Sequence, residues 1–132
     1  MIDKDSVTIL LVDDAESLRI AIKKDLHGEG YTVLEAASGT AGLDLVTGHE
    51  GFIDLMIVDQ NMPGMTGLEM VTAIRKLKDN ANVDCKVIFL TSDNTPALKQ
   101  GSLDLKALGI ILKPAPGLIK LVKKIVSKKK PK

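Results

Sequence analysis

The sequence predicts an α/β protein built around a parallel β-sheet. Five short apolar runs are separated by stretches in which apolar residues recur with helical spacing. The run at residues 55–58 lacks polar alternation, which is typical of a parallel strand covered on both faces. Fivefold alternation of strand and helix favours right-handed crossovers within one sheet. With 132 residues, 45% of them hydrophobic and 27% charged, the chain suits a single globular domain.

Five apolar runs predict the strands. In chain order they occupy residues 7–12, 31–36, 55–58, 86–90 and 109–112. The third run is the most informative, because Leu-Met-Ile-Val leads directly into Asp59 and then into a loop with Pro63, Gly64 and Gly67. We therefore expect an acidic side chain at the carboxyl end of a buried strand. Open parallel sheets bind their ligands at that edge.

Helical spacing of apolar residues predicts five helices between and after these strands. In chain order they cover residues 18–26, 39–48, 70–77, 98–108 and 116–125. Ser38 is suited to cap the second helix, and Gly28 and Gly48 are suited to end the first and second. Gly101 is unfavourable inside the fourth helix, whereas Pro116 suits the first turn of the fifth. We assign residues 1–127 to one domain and residues 128–132 to a lysine-rich tail.

Composition argues against several classes of function. A net charge of +1 and an aromatic content of 2% provide neither a strong field nor stacking surfaces for nucleic acid. No apolar run is long enough to span a bilayer, and the first residues do not resemble a signal peptide. The single cysteine, Cys85, excludes an internal disulfide and is typical of a reducing compartment. We expect a cytoplasmic protein without direct membrane or nucleic-acid partners.

Polar side chains follow four of the five predicted strands. They are Asp13, Asp14, Asp59, Thr91 and Lys113. Because the carboxyl ends of parallel strands meet at one edge of the sheet, these residues are expected to lie together. Ordinary turn chemistry could account for each residue alone, but three aspartates with a lysine and a threonine form an unusual set of turn residues.

The predicted cluster suits phosphoryl chemistry with a divalent ion. Three carboxylates repel one another, and Lys113 supplies a single compensating charge. Oxygen ligands favour Mg²⁺, which commonly completes its coordination shell with phosphate oxygens. Asp59 can then act as a nucleophile that forms an aspartyl phosphate, while Lys113 and Thr91 hold other phosphoryl oxygens.

These motifs together resemble the receiver domain of the response regulators of two-component signalling, of the CheY-like type. They are the acidic pair Asp13-Asp14, the phosphoacceptor motif of Asp59, Met62, Pro63 and Gly67, the hydroxyl residue Thr91, and the final Lys113-Pro114. The match extends from Val7 to about Val126. It implies a flavodoxin-like, doubly wound five-stranded sheet in the order 2-1-3-4-5 with five helices. Receiver domains are a well-known example of this strand order.

The resemblance also implies a role for each site residue. Asp59 would accept a phosphoryl group from the phosphohistidine of a histidine kinase or histidine phosphotransfer protein. Mg²⁺ would be held by Asp14, Asp59 and the backbone carbonyl of Asn61. Asp13 would act through water, Lys113 would pair with the phosphoryl group, and Thr91 would move to bond it. The domain would promote its own phosphorylation and dephosphorylation, without being a conventional enzyme, and would signal to a downstream protein target.

One position makes the output switch of this chain distinctive. Ile110 stands where the family usually has an aromatic switch residue, and it is stiff and lacks a hydroxyl. We expect Ile110 to stay packed, so that the switch runs through Thr91, the loop 92–96 and the fourth helix. Asn61 and Asp93 flank the predicted phosphoryl site and are expected to modulate the phosphoryl lifetime.

Two other functions remain as alternatives. A phosphatase of the haloacid dehalogenase type also uses an aspartate nucleophile. It needs a second aspartate two residues later, where this chain has Asn61, and it places the nucleophile on the first strand. A degenerate receiver serving only as a docking module would not need the intact set of site residues. The sequence names neither the kinase nor the output partner, and it leaves open whether the chain is part of a longer regulator.

Overall fold

The computed structural model describes residues 7–127, and the lysine-rich tail lies outside this range. Strands and helices alternate throughout the described chain. In order they are β1 (Thr8–Val12), α1 (Glu16–Gly28), β2 (Thr32–Ala36), α2 (Gly39–Gly48), β3 (Leu55–Asp59), α3 (Gly67–Arg75), β4 (Lys86–Thr91), α4 (Pro96–Asp104), β5 (Gly109–Leu112) and α5 (Leu118–Val126).

The five strands form one parallel sheet in the order β2-β1-β3-β4-β5. β3 lies in the centre, where Ile57 pairs with Leu11 of β1 on one side and with Ile88 of β4 on the other. Every residue of β3 is buried. The predicted flavodoxin-like fold and its strand order are therefore confirmed.

Each face of the sheet carries its own apolar core, because successive strand residues point to opposite faces. One cluster joins alternate strand residues such as Met56 and Phe89 to α2, α3 and α4. The other joins their neighbours, such as Ile57 and Ile88, to α1 and α5. This arrangement leaves polar side chains only at the ends of the central strands, so that the sheet edge is the place for chemistry.

Side-chain caps fix the start of the three helices on the first face. The Ser38 hydroxyl accepts a hydrogen bond from the backbone N–H of Ala41, which confirms the predicted cap. At α3, Thr66 and Glu69 form a reciprocal capping box. Thr95 caps α4 and is followed by Pro96 in the first helical turn. These caps satisfy free N–H groups at the first turn of each helix.

The predicted bounds of the third, fourth and fifth helices were wrong. The fourth helix was expected at 98–108, but α4 begins two residues earlier and ends at Asp104, because Lys106 adopts a φ of 60°. The third was expected to reach Leu77, which lies beyond the end of α3 at Arg75. Pro116 was expected in the first turn of the fifth helix, yet α5 begins at Leu118.

Gly101 does not interrupt α4, and its place in the helix is explained by packing. A Cβ atom added there would lie 2.8 Å from Cδ1 of Leu68 on α3, so that any larger residue would require the Leu68 side chain to shift. None of the helices within residues 7–127 has the length and apolar character needed to cross a bilayer.

Candidate functional site

The candidate site lies at the carboxyl edge of the sheet, where four strand ends meet. Asp59 is the last residue of β3 and Thr91 is the last residue of β4, and both are fully buried. The buried Asp13 follows β1 directly, and the exposed Asp14 comes next. Lys113 follows the last residue of β5. The structure thus brings these five predicted residues to one edge.

Three carboxylates form the centre of this edge. One oxygen from each of Asp13, Asp14 and Asp59 lies within 4.8 Å of the others. Nζ of Lys113 lies 3.3 Å from Oδ1 of Asp13 and 3.2 Å from Oδ2 of Asp59. The ammonium therefore sits between the two buried carboxylates. When all four groups are ionised, one positive charge faces three negative ones.

Asp13 is held by contacts from three elements. Its backbone N–H donates to the carbonyl of Ala36 at the end of β2. Its Oδ1 accepts a hydrogen bond of 2.8 Å from the N–H of Ala15, and its backbone carbonyl accepts one of 2.8 Å from Nη1 of Arg19. Sequence analysis did not single out Arg19, because no local pattern reveals a contact with a backbone carbonyl.

The loop after Asp59 is fixed by its own backbone and by the start of α3. Oδ1 of Asp59 accepts a hydrogen bond of 3.1 Å from the N–H of Asn61. Oε1 of Gln60 accepts one of 2.8 Å from the N–H of Leu68 and thereby satisfies a free donor of α3. A Cβ atom at Gly67 would lie 2.6 Å from the carbonyl oxygen of Asp59. The close approach at Gly67 thus places the start of α3 directly against the backbone of Asp59, which sequence spacing alone did not reveal.

The Thr91 hydroxyl is engaged in a compact turn. It donates to the carbonyl of Asp93 at 2.8 Å and accepts from the N–H of the same residue at 3.0 Å. Oδ1 of Asn61 also lies 3.0 Å from the hydroxyl. The hydroxyl has one proton, so it cannot donate to both oxygens at once. Any movement of Thr91 towards the carboxylates would release the loop that leads to α4.

The electrostatics of the site follow from this packing. Burial raises the pKa of Asp59 from 3.8 to about 6, and the Asp13 carboxylate adds to the rise. The Asn61 N–H and the Lys113 ammonium act in the opposite direction. Burial lowers the pKa of Lys113, but the Asp13 and Asp59 carboxylates outweigh it, so the pKa lies above its usual value. Lys113 is therefore charged at neutral pH.

The donor set fits a small divalent cation. Oδ2 of Asp13 is buried without a hydrogen-bond partner among the described residues, and Oδ2 of Asp59 contacts Lys113 outside hydrogen-bond geometry. Buried carboxylate oxygens without partners are costly, and a cation beside the exposed Asp14 would relieve them. The cluster offers oxygen atoms only, which is the preference of Mg²⁺.

The remaining predicted residues lie around this centre. Asn61 and Asp93 are both exposed and flank Thr91. Ile110 lies in the middle of β5, paired with Phe89, and is partly buried against the core of the first face. It therefore does not belong to the carboxylate cluster. The peptide bond between Lys113 and Pro114 is cis.

Comparison with known proteins identifies the family. The model of the response regulator receiver domain matches residues 9–126. The chain belongs to the response regulator receiver domain family. Receiver domains are signalling domains of two-component systems and differ in this respect from conventional enzymes.

Similar proteins include free-standing receivers. Over 106 residues the chain is 34% identical to sporulation initiation phosphotransferase F of Bacillus subtilis, an alignment that covers 80% of this chain and 81% of that protein. Chemotaxis protein CheY4 of Vibrio cholerae superposes with a TM-score of 0.79 at 31% identity, covering 91% of this chain and 98% of that one. The response regulator TrrA of Thermotoga maritima, solved in complex with Mg²⁺ and BeF, gives a TM-score of 0.75 at 33% identity and covers 90% and 98%.

Other relatives are longer than this chain. The transcriptional regulatory protein YkoG of B. subtilis is 34% identical over 80% of this chain, which spans 44% of YkoG. The sensor kinase CckA of Brucella abortus is 36% identical over 65% of this chain, which spans 9% of CckA. Receiver domains of this kind thus occur alone and within larger signalling proteins.

Proposed function

We propose that this chain is a phosphorylation-dependent signalling switch. Asp59 accepts a phosphoryl group from the phosphohistidine of a histidine kinase or a histidine phosphotransfer protein. A carboxylate oxygen of Asp59 forms the new bond to phosphorus, and the bond from phosphorus to the histidine nitrogen breaks. The imidazole leaves with that electron pair and then takes up a proton. The domain then changes the surface that it offers to a downstream protein target.

The single observation that carries this proposal is the position of Asp59. Its carboxylate is buried at the end of the central strand, within 4.8 Å of two further carboxylates and beside the ammonium of Lys113. A nucleophile that must approach a negatively charged phosphoryl group needs compensating charge, because such transfers depend mainly on positioning and charge neutralisation. Lys113 provides one such charge.

We further propose that the site holds Mg²⁺ through Asp14, Asp59 and the backbone carbonyl of Asn61, with Asp13 acting through water. The ion would neutralise charge on the transferred phosphoryl oxygens. Lys113 and the Thr91 hydroxyl bind the other phosphoryl oxygens. Asn61 and Asp93 modulate the phosphoryl lifetime, since they flank Thr91 and are accessible to water. The protein works in the cytoplasm, where it meets its phosphodonor without contacting membrane or nucleic acid directly.

Intact-protein mass spectrometry after incubation with acetyl phosphate and Mg²⁺ tests the nucleophile. We expect the wild type to gain one phosphoryl group and Asp59→Asn to gain none. Asp44→Asn is the matched control, because it makes the same change at an exposed position on α2. Equal phosphorylation of the wild type and Asp59→Asn would exclude Asp59 as the acceptor.

A further inference from the structure

Arg19 contacts the backbone of Asp13, one of the three clustered aspartates, but has no part in the proposed chemistry. Its side chain extends from α1 towards the loop after β1 and is only 16% exposed. Nη1 donates a hydrogen bond of 2.8 Å to the backbone carbonyl of Asp13, and Nε donates one of 3.2 Å to Oε1 of Glu35. We propose that Arg19 is a positioning residue that orients the peptide group between Asp13 and Asp14 for a divalent cation. This inference rests on the metal site of the proposed function.

The contact acts on both acidic residues because of peptide geometry. The Asp13 carbonyl and the Asp14 N–H belong to one planar unit, so fixing the oxygen fixes the plane. That plane sets the direction in which the exposed Asp14 projects its carboxylate. The Asp13 side chain has its own contacts with Ala15 and Lys113. Arg19 is therefore expected to matter most for Asp14.

Arginine suits this task better than lysine would. Its planar guanidinium presents donors in fixed directions, so one side chain can bind a carbonyl and a carboxylate at the same time. Glu35 lies in β2 and also accepts a hydrogen bond from Lys23, and Lys23 together with Arg19 holds the pKa of Glu35 below its usual value. Glu35 thus remains charged and anchors the guanidinium from the neighbouring strand.

Charge and geometry predict opposite effects of removing Arg19. If Arg19 acted through its charge alone, its loss would tighten the binding of Mg²⁺, because a positive charge near the cation would disappear. If it orients the peptide, its loss must weaken binding. Groups that orient metal ligands typically account for about 10-fold to 100-fold in affinity. The sign of the change therefore separates the two explanations.

The test is a Mg²⁺ titration followed by backbone amide chemical shifts. We expect Arg19→Gln to weaken Mg²⁺ binding by about tenfold, the lower end of that range. Arg19→Lys, which keeps the charge but not the fork of donors, is expected to weaken it by roughly threefold. Lys23→Gln is the matched control, because it removes the same charge from α1 and leaves the Asp13 carbonyl contact in place. Its dissociation constant should stay within about twofold of wild type.

Urea unfolding in EDTA separates positioning from general stability. A purely structural role would lower the free energy of unfolding of Arg19→Gln and leave its Mg²⁺ constant unchanged, and that result would overturn the inference. Tighter Mg²⁺ binding by Arg19→Gln would overturn it too. If Arg19→Gln does not fold, Arg19→Lys decides, and wild-type affinity in that variant rejects the inference. A wild type that binds no Mg²⁺ would refute the proposed metal site, and the role of Arg19 with it.

Discussion

A single carboxylate, Asp59, is kept in an environment that disfavours its charge. It is fully buried, it faces Asp13, and its pKa is raised to about 6. The folded protein therefore binds the Asp59 proton more tightly than the unfolded chain does. Between pH 4 and 6, approximately, the folded state holds more protons, so the contribution of Asp59 to the free energy of unfolding falls as pH rises. At neutral pH the buried, ionised Asp59 therefore lowers the free energy of unfolding of the metal-free protein.

Replacing Asp59 by asparagine should remove that cost. In EDTA at pH 8 we expect Asp59→Asn to raise the free energy of unfolding by on the order of 3 kcal/mol, since the pKa of Asp59 is raised from 3.8 to about 6 and one pKa unit corresponds to about 1.4 kcal/mol. The difference in free energy of unfolding between Asp59→Asn and the wild type should shrink towards pH 4, where the wild-type carboxyl group is also neutral. Urea denaturation at both pH values measures the difference. A variant that is equally stable or less stable at pH 8 would contradict the raised pKa.

The beginning of α3 shows how a helix can fix the geometry of a site. Gln60 accepts from the N–H groups of Gly67 and Leu68, through its backbone and side-chain oxygens respectively. Gly67 itself approaches the Asp59 carbonyl more closely than any residue with a Cβ atom could. The helix thus starts directly against the backbone of Asp59. A shift of α3 would therefore displace the backbone of Asp59, because the two are in close contact.

Adding one methyl group at this point should therefore be costly. Gly67→Ala would place Cβ 2.6 Å from the Asp59 carbonyl oxygen, and we expect a loss of about 1–3 kcal/mol together with slower phosphorylation by acetyl phosphate. Gly48→Ala is the matched control, because nothing lies within 4 Å of a Cβ there and alanine favours the helix. Parallel urea unfolding of both variants provides the measurement. If Gly67→Ala is as stable as Gly48→Ala, the close approach of Gly67 to the Asp59 carbonyl does not contribute to stability.

Sequence patterns predicted some elements and site residues of this protein and missed others. The strands and their order followed from apolar runs and from the resemblance, because burial on two faces leaves a strong local signal. The cluster at the sheet edge was predicted because each of its members stands at or just past a strand end, namely Asp13, Asp14, Asp59, Thr91 and Lys113. The end of α4 was missed, because the positive φ of Lys106 leaves no recognisable pattern in the sequence. The contact of Arg19 with the Asp13 carbonyl was missed for the same reason, since it exists only in the folded chain.

Across the whole molecule, Thr91 joins the site to the face that carries α4. Its hydroxyl holds the turn at Asp93, and the cap of α4, Thr95, follows two residues later. Ile110 lines a cleft of about 330 Å³ between α4 and β5 and is already packed against the core. A side chain that is packed in both states gains little from rotating. Signal transmission should therefore pass through the loop and α4.

The phosphoryl mimic beryllofluoride tests this route. With Mg²⁺ present, we expect it to shift the backbone amides of residues 92–104 more than the methyl groups of Ile110. The reason is that Thr91 must give up its hydrogen bonds with Asp93 in order to bind the mimic. Chemical-shift mapping provides the readout, and Asp59→Asn with the same reagents should show no such pattern. The largest change at the Ile110 methyl groups would refute this route while leaving the phosphoacceptor assignment intact.

The ion pair between Asp13 and Lys113 joins residues that are 100 positions apart. A ribosome that has synthesised the chain only through β4 has already made all three aspartates but not their lysine. Such a nascent or truncated chain holds the repulsive part of the site without its compensating charge. The ability to signal is therefore expected to depend on the last strand. We expect a chain that lacks β5 to be unable to signal even if its first four strands have assembled.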